Sequence, residues 1–372
     1  MALRFHWSMS SAGETLKGSK ARSAVSGIPN LDAHVRFFRQ AEECGIDSLL
    51  TAFGFHRADP IVLASALGMM TTRIKFMVAV RSGICSPTLF VQQVNSVAAL
   101  TGGRICLNVV AGHTPEEQKY YGDFLSHDER YERTDEFLTV CNAFWKNAGD
   151  VDFAGRYYTI EKGKLNTPFT APDRTAPEIF LGGNSAPADR LAMKHADCMW
   201  RLPEPADRMR DKAHMLVEAG TEVGILVSLI VRPTHEEVLE ATTRLLANFD
   251  GAPKRTHEEF ARKSDSVAFT STYKLANADD WPAPYLWTGA VPYMGAPSIA
   301  IVGTPEEATD ALFEYRDAGV TQFLFMGWPD LEEMARFSSD VLPLVRQREA
   351  AEASKAAEAS KAAEASNAAA AS

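Results

Sequence analysis

Short apolar segments alternate with longer amphipathic segments along most of the chain. Within the first hundred residues, strands are predicted at Leu3–Met9, Ile46–Phe53 and Ile74–Val80, and helices at Leu31–Cys44, Ile61–Met70 and Pro87–Leu100. Asn30, Asp59 and Ser86 precede these helices, and their side chains can cap the free N–H groups of a first turn. Strand–helix units repeated in this way are typical of a parallel sheet.

The same alternation returns after a central strand at Ile105–Val110. Further strands are predicted at Glu178–Gly182, Cys198–Arg201, Val223–Val231, Ile299–Val302 and Thr321–Met326, each followed by a helical segment. The count is about eight strands, which is enough to close a TIM (β/α)8 barrel. An open doubly wound sheet is the alternative.

Three segments interrupt the repeat, and the chain ends in a low-complexity tail. The predicted barrel domain covers residues 1–346, with insertions at about 112–134, 151–165 and 249–297. The second insertion is predicted to be a β-hairpin at Val151–Lys164, and the third a lid or substrate wall. Residues 347–372 are rich in Ala, Glu, Ser and Lys, and we expect a frayed or disordered appendage there.

Composition and charge exclude several classes of function. The 372 residues are 46% hydrophobic and 23% charged, with a formal net charge of −10. The sequence has no basic patch for nucleic acid and no apolar run of the roughly 18 residues that a membrane span needs. It shows no signal peptide, and its five cysteines have no metal-ligand spacing, so we expect reduced thiols in a cytoplasmic protein without a metal site.

Two polar features lie at predicted strand ends, where parallel α/β folds bind their ligands. Asn108 stands inside an apolar strand, and a buried amide without partners costs roughly 1–3 kcal/mol. Gly182, Gly183, Asn184 and Ser185 join a strand to a helix, a turn that can hold a phosphate at the helix N-terminus. A plain capped turn and a satisfied core amide remain the structural alternatives. The sequence has no G-x-G-x-x-G, Walker, H-E-x-x-H or G-x-S-x-G motif.

Six motifs in order along the chain resemble the bacterial luciferase-like flavin monooxygenases, most closely their alkanesulfonate monooxygenase branch. The motifs are Ser86–Thr88 (SPT), Thr101–Gly112 (TGGRICLNVVAG), His127–Tyr131 (HDERY) with Glu136–Phe137, Phe180–Ser185 (FLGGNS), Val302–Pro305 (VGTP) and Gly327–Glu333 (GWPDLEE). Each motif is modest by itself, but their order and spacing together are specific.

The resemblance implies a TIM barrel that binds reduced FMN (FMNH2) at the C-terminal ends of its strands. A separate NAD(P)H:flavin reductase would supply the flavin, and O2 would react with it to give a C4a-peroxyflavin that oxygenates a small organic molecule. The family also commonly forms homodimers or homotetramers. Carried onto this sequence, the cofactor contacts are Ala52, Phe53, Asn108, Glu117, His127, Arg130, Tyr131, Asn184 and Ser185.

Departures from the sulfonate branch bear on the substrate. Leu226 and Ser228 occupy the positions at which that branch has Arg and His. Met294 replaces an arginine of the lid, and Trp328 and Asp330 replace a Tyr and a His. Losing two arginines removes the anchors that a sulfonate needs, so we expect a larger, more apolar or aromatic substrate contacting Trp7, Ser228, Met294 and Trp328. Alternatively, Arg57, Arg81, Arg201 or His56 restores an anion site.

The catalytic group is not singled out by sequence. Acid–base candidates on strand ends or the following loops are His6, His56, Arg57, His113 and Asp330. Two further functions stay open: an F420-dependent oxidoreductase on the same barrel, and a catalytically silent flavin-binding protein.

Overall fold

Eight parallel strands form a closed barrel, which confirms the predicted TIM fold. The computed structural model describes residues 2–9, 30–55, 57–112, 114–254, 256, 258–259 and 262–370. The strands, in chain order, are β1 (Arg4–Met9), β2 (Ser48–Thr51), β3 (Lys75–Val80), β4 (Ile105–Val109), β5 (Val151–Ala154), β6 (Thr159–Gly163), β7 (Glu178–Gly182), β8 (Cys198–Arg201), β9 (Glu222–Val231), β10 (Leu286–Trp287), β11 (Ala300–Gly303) and β12 (Val320–Met326). The ring runs β1-β2-β3-β4-β7-β8-β9-β12 and closes where β12 pairs with β1.

Helices follow most barrel strands and pack around the ring. They are α1 (Leu31–Glu43), α2 (Pro60–Gly68), α3 (Pro87–Thr101), α4 (Pro115–Tyr120), α5 (His127–Lys146), α6 (Ala186–His195), α7 (Ala206–Glu218), α8 (His235–Ala247), α9 (Val267–Ala278), α10 (Val291–Met294), α11 (Pro305–Asp317), α12 (Asp330–Arg336) and α13 (Leu342–Ala370). Asn30, Asp59 and Ser86 cap α1, α2 and α3 through their side chains, as predicted.

The strand predicted at Ile299–Val302 exists but lies outside the ring. β9 is ten residues long, and its first part pairs with β8. Its later residues, Ser228–Val231, run past the end of β8 and pair with β11 instead. The extra strand therefore widens the sheet on one side, where the short β10 adds an antiparallel edge.

All three predicted interruptions contain regular structure, and the first includes α4 and the start of α5. β5 and β6 form the antiparallel hairpin expected at Val151–Lys164. The long segment 249–297 contains α9, β10 and α10. The first turn of α9 lies at the C-terminal end of the barrel, where it covers the cavity described below.

The described part of the low-complexity tail is helical, with α13 continuing to Ala370. Alanine, glutamate and lysine have high helix propensities. The start of the tail is also tied to the barrel. Glu349 accepts a hydrogen bond of 2.6 Å from the Leu3 backbone, and Glu352 pairs with Arg316 at 2.5 Å.

The amino-terminal half of the barrel interior holds a buried polar network centred on His6. Its Nδ1 lies 2.7 Å from Ser48 Oγ and its Nε2 lies 2.8 Å from Gln322 Oε1. Gln322 in turn donates to Glu222 at 2.8 Å. Burial lowers the pKa of His6 to about 4, while Asp47 opposes the shift. His6 thus fills a structural position in the barrel, which corrects its listing as an acid–base candidate.

The lowered pKa of His6 makes stability depend on pH. The unfolded chain takes up a proton near pH 6.5 that the folded chain takes up only near pH 4, so acid favours unfolding within that window. We expect the free energy of unfolding to fall by about 2 kcal/mol from this group between pH 7 and pH 5. Urea unfolding at both pH values checks this. In His6→Gln, the free energy of unfolding should fall less steeply with decreasing pH. Part of the pH dependence should remain because burial also lowers the pKa of His195. Equal slopes in both proteins contradict the assignment.

Candidate active site

A cavity of about 260 Å³ opens at the carboxyl ends of the barrel strands. β2, β3, β4, β7, β8, β9 and β12 each contribute lining residues. Apolar side chains including Leu50, Ala79, Leu226 and Leu324 line part of it, and polar groups from the loops after β4 and β7 line another part. This end of a TIM barrel is where its enzymes carry their active sites.

Most of the residues predicted to contact a cofactor meet at this cavity. Seven of the nine line it, namely Ala52, Phe53, Asn108, His127, Tyr131, Asn184 and Ser185. They come from the ends of β2, β4 and β7 and from the first two turns of α5. Parallel strands bring their carboxyl ends to one face, which is why residues so far apart in sequence converge.

The turn between β7 and α6 has the form of an anion site. Ser185 is the N-cap of α6, and its Oγ accepts a hydrogen bond of 3.4 Å from the Ala188 N–H. Tyr131 hydrogen-bonds to Ser185, and burial raises the pKa of Tyr131, so its hydroxyl keeps its proton. A Cβ on Gly183 would lie 2.8 Å from Ala188 Cβ and 3.2 Å from the Tyr131 hydroxyl, so only glycine lets the chains approach this closely.

Several buried polar atoms of the cavity wall have no hydrogen-bond partner in the protein. They are Arg81 Nε and Nη1, Asn108 Oδ1, Asn184 Oδ1, Trp200 Nε1 and Arg201 Nε. Each such atom destabilises the folded protein unless a ligand or a water molecule forms a hydrogen bond with it. Their concentration in one cavity indicates a polar ligand. From the sequence, Asn108 could be either a hydrogen-bonded core amide or a ligand contact. Its Oδ1 has no partner in the protein, which favours the ligand contact.

The cavity wall contains two arginines but no acidic side chain among its described residues. Arg201 is held in place by Gly183 O at 2.8 Å and by Asp189 at 2.7 Å. Arg81 pairs with Glu117 at 3.2 Å, behind the cavity surface. The described lining therefore offers guanidinium N–H donors, and no carboxylate, to a ligand.

The long insertion supplies one wall of the cavity, as predicted for a lid. Residues 266–269, at the start of α9, line it. Just before them, Asp265 pairs with Arg130 at 2.5 Å. Arg130 also donates to Ala111 O at 2.9 Å and to Leu125 O at 3.0 Å. It thus joins the insertion to the loop after β4.

Arg130 and Glu117, the other two predicted cofactor residues, do not line the cavity. All three guanidinium nitrogens of Arg130 bind protein oxygens, and its side chain is only 2% exposed. Glu117 holds Arg81 and accepts a hydrogen bond from the Phe55 backbone at 3.4 Å. The structure thus places both residues behind the cavity wall, where they position other groups.

Of the predicted catalytic residues His56, Arg57, His113 and Asp330, the two that the structure describes, Arg57 and Asp330, do not line the cavity. His56 and His113 lie outside the described residues. Arg57 is half-buried near Glu117, and burial lowers the pKa of its guanidinium. Asp330 is buried, and its Oδ1 accepts hydrogen bonds from Trp7 Nε1 at 3.0 Å and from the Gly327 backbone at 2.9 Å. Asp330 has a structural position at the start of α12.

The predicted substrate contacts Trp7, Ser228, Met294 and Trp328 are likewise packed away from the cavity. Trp7 is fully buried in the main core. Ser228 is also fully buried, and its hydroxyl donates to Pro297 O at 2.9 Å. Met294 and Trp328 belong to an apolar cluster around β11. None of the four is among the residues that line the cavity.

Two residues of the site escaped the sequence analysis. Trp200 lines the cavity and stacks on Phe180, with ring centroids 5.2 Å apart and planes 9° apart. Side chains alternate along a strand, so Trp200 faces the barrel interior like Cys198, two residues earlier. This alternation could have identified Trp200 as a residue of the site. Asp265, the partner of Arg130, carried no local signal because the pair spans 135 positions. Arg81 and Arg201 had been considered only as alternative anion sites.

The described part of the chain has neither a metal-type cluster nor a membrane-spanning helix. No three His, Cys, Asp or Glu side chains there group as a metal site, and no described helix has the length and hydrophobicity to cross a membrane. The five cysteines form no disulfide, and burial raises the pKa of the Cys106 thiol to about 12.

Comparisons with known proteins give the same fold. A family model described as luciferase-like monooxygenase matches residues 3–322. A riboflavin lyase with modified FMN and riboflavin is 20% identical, with a TM-score of 0.76 over 94% of this chain and 92% of that one. EDTA monooxygenase from Chelativorans sp. BNC1 is 20% identical, with a TM-score of 0.73 over 94% of both. An F420-dependent secondary alcohol dehydrogenase is 17% identical, with a TM-score of 0.63 over 93% and 99%.

Proposed function

Since the chain belongs to the luciferase-like monooxygenase family, we propose that it is a two-component, FMN-dependent monooxygenase. In this proposal it takes reduced FMN from a separate NAD(P)H:flavin reductase and inserts one atom of O2 into a small organic substrate. The observation that carries the proposal is the cavity at the strand ends, which combines a phosphate-type turn with unpaired buried polar atoms.

The residues of the cavity fit FMN. The N-terminus of α6, Ser185 and the Tyr131 hydroxyl would hold the phosphate, with the free Nε of Arg201 nearby. Ala52, Phe53 and Asn108 would contact the ring system, with the Asn108 amide oxygen as a hydrogen-bond acceptor. Reduced FMN, when bound, supplies the electrons that activate O2.

The protein's part in such a reaction is to exclude water and to orient the substrate. The first turn of α9 covers the cavity, and apolar side chains such as Leu226 and Leu324 line it. An apolar, covered site prevents water from diverting a reactive oxygen species. The bond between Arg130 and Asp265 holds this cover in place.

Short alkanesulfonates are not expected to be substrates. Leu226 and Ser228 stand where the sulfonate branch has Arg and His, and the Ser228 hydroxyl is already bonded to Pro297 O. Met294 and Trp328 add no anion-binding group in the apolar cluster around β11. Assaying NADH- and O2-dependent release of sulfite from octanesulfonate checks this, and saturable release contradicts it.

The test of the proposed function is the reaction of the reduced complex with O2. When the anaerobic complex with FMNH2 is mixed with oxygenated buffer, we expect the spectrum of oxidised flavin to return more slowly than with free FMNH2, because the covered cavity delays the loss of reduced oxygen as H2O2. Reoxidation at the rate of free FMNH2 at protein concentrations that bind all the flavin contradicts an oxygenase. The F420-dependent alternative instead requires tight binding of reduced F420 and hydride transfer without O2.

The Tyr131 hydroxyl gives a prediction about phosphate recognition. Tyr131→Phe removes one donor next to Ser185 and leaves the ring in place, so FMN affinity should fall by about 10-fold. Riboflavin lacks the phosphate, and its affinity should change by less than about 2-fold. Fluorescence titration with both flavins measures the two constants. Equal losses for FMN and riboflavin would show that Tyr131 acts on the ring or on the fold instead.

A further inference from the structure

Arg81 is a buried cation with unfilled donors in the cavity. It is the residue immediately after β3 and is 6% exposed. One of its nitrogens, Nη2, faces Glu117 at 3.2 Å, whereas Nε and Nη1 have no partner in the protein. Burying a guanidinium with two empty donors costs free energy that a ligand acceptor would recover. The position is therefore built for a ligand oxygen.

The phosphate of the proposed cofactor does not account for Arg81. That anion is assigned to the turn after β7, where Ser185, Tyr131 and Arg201 come together. Arg81 follows β3, which is separated from β7 by β4 in the ring. The cavity thus carries two arginine positions, one at the β7–β8 side and one at the β2–β3 side, and at the second Nε and Nη1 of Arg81 have no assigned acceptor.

The surroundings of Arg81 fix its orientation. Its guanidinium carbon lies 5.0 Å from the centroid of the Phe53 ring and 6.0 Å from that of Tyr121. The two rings contact each other, with centroids 5.2 Å apart. Glu117, held by the Phe55 backbone N–H, secures the far side. A planar guanidinium braced in this way offers its remaining donors in a defined direction.

We propose that Arg81 is a specificity-determining residue that binds a carboxylate of the substrate. The inference rests on the proposed function and adds a substrate class: an organic acid whose apolar or aromatic body lies along Phe53 and the apolar cavity wall. The absence of Asp and Glu from the described cavity lining favours an anion, and charge-assisted hydrogen bonds from arginine suit a carboxylate. Glu117 acts as a positioning residue for Arg81.

The experiment compares matched acids and amides. Benzoate, phenylacetate and octanoate, each beside its primary amide, are titrated calorimetrically into the FMN-loaded protein. In the unmodified protein, at least one acid should bind about 10-fold or more tightly than its amide. Arg81→Gln should reduce that preference to less than about 3-fold, and Arg81→Lys should keep part of it because the charge remains. FMN affinity, measured separately, should change by less than about 3-fold in both variants.

Three outcomes overturn the inference: no acid is preferred over its amide by the unmodified protein, the preference survives in Arg81→Gln, or Arg81→Gln weakens FMN as strongly as Tyr131→Phe does. The last outcome would make Arg81 a flavin ligand. If FMN does not bind at all, the proposed function fails. The same titration of the flavin-free protein then still decides whether Arg81 selects carboxylates.

Discussion

Replacing Gly182 by leucine is expected to weaken FMN binding by about 100-fold or more without destabilising the fold. Gly182 ends β7 and lines the cavity, and no heavy atom lies within 4 Å of the place that its Cβ would take. It lies two residues beyond Phe180, whose side chain belongs to the barrel interior, so a side chain at 182 would extend into the same space. A leucine there occupies the room that the ligand needs.

A graded series separates the filling of the cavity from damage to the protein. FMN affinity should fall progressively from Gly182→Ala to Gly182→Val to Gly182→Leu, as measured by quenching of flavin fluorescence. The free energy of unfolding of the flavin-free variants, from urea titrations, should stay within about 1 kcal/mol of the unmodified protein. If the leucine variant binds FMN normally, this cavity is not the flavin site.

Replacing Arg130 by methionine should lower the free energy of unfolding of the flavin-free protein by about 3 kcal/mol. The substitution removes bonds to Ala111 O, Leu125 O and Asp265 from a side chain that is 2% exposed. It leaves the carboxylate of Asp265 without its cation. The insertion then loses the salt bridge through which Arg130 connects it to the loop after β4.

Asp265→Asn is the matched control, because it keeps the size of the side chain and removes only the charge. It should cost less than half as much stability as Arg130→Met, since the other two bonds of Arg130 remain. Urea unfolding without flavin gives both values. A direct role of Arg130 in binding the phosphate predicts a different result: flavin-free stability near normal and a loss of FMN affinity that spares riboflavin.

The order of elements could be predicted from the sequence because strands and helices leave local signals. Apolar runs, Asn30, Asp59 and Ser86 as caps, and the glycines of the β7–α6 turn all act within a few residues. Since parallel strands align their carboxyl ends, the grouping of Asn108 with the β7–α6 turn followed from the strand order. Most of the proposed flavin residues therefore lie at one cavity.

What escaped prediction depends on contacts between distant parts of the chain. The partners of His6 include Gln322, 316 positions away, and those of Arg130 include Asp265, 135 positions away. Nothing in the sequence near His6 or Arg130 distinguishes a structural hydrogen bond from a catalytic one. Likewise, the place of β11 outside the ring follows from the length of β9 relative to β8.

The substrate residues were misplaced for a related reason. Ser228, Met294 and Trp328 were matched by resemblance to positions where the sulfonate branch has polar side chains, and Trp7 was added as a large apolar residue. Here Trp7 and the apolar replacements pack into the core, and Ser228 finds a backbone partner. Among the described residues that line the cavity, buried polar atoms without a partner include those of Arg81, just after β3, and Trp200, in β8.

The most direct test of the account is an anaerobic binding titration of the protein with FMNH2, reduced riboflavin and reduced F420. We expect FMNH2 to bind at least about 10-fold more tightly than either competitor, because the β7–α6 turn, Ser185 and Tyr131 recognise its phosphate. Tighter binding of reduced F420, or no preference for FMNH2 over reduced riboflavin, would contradict it.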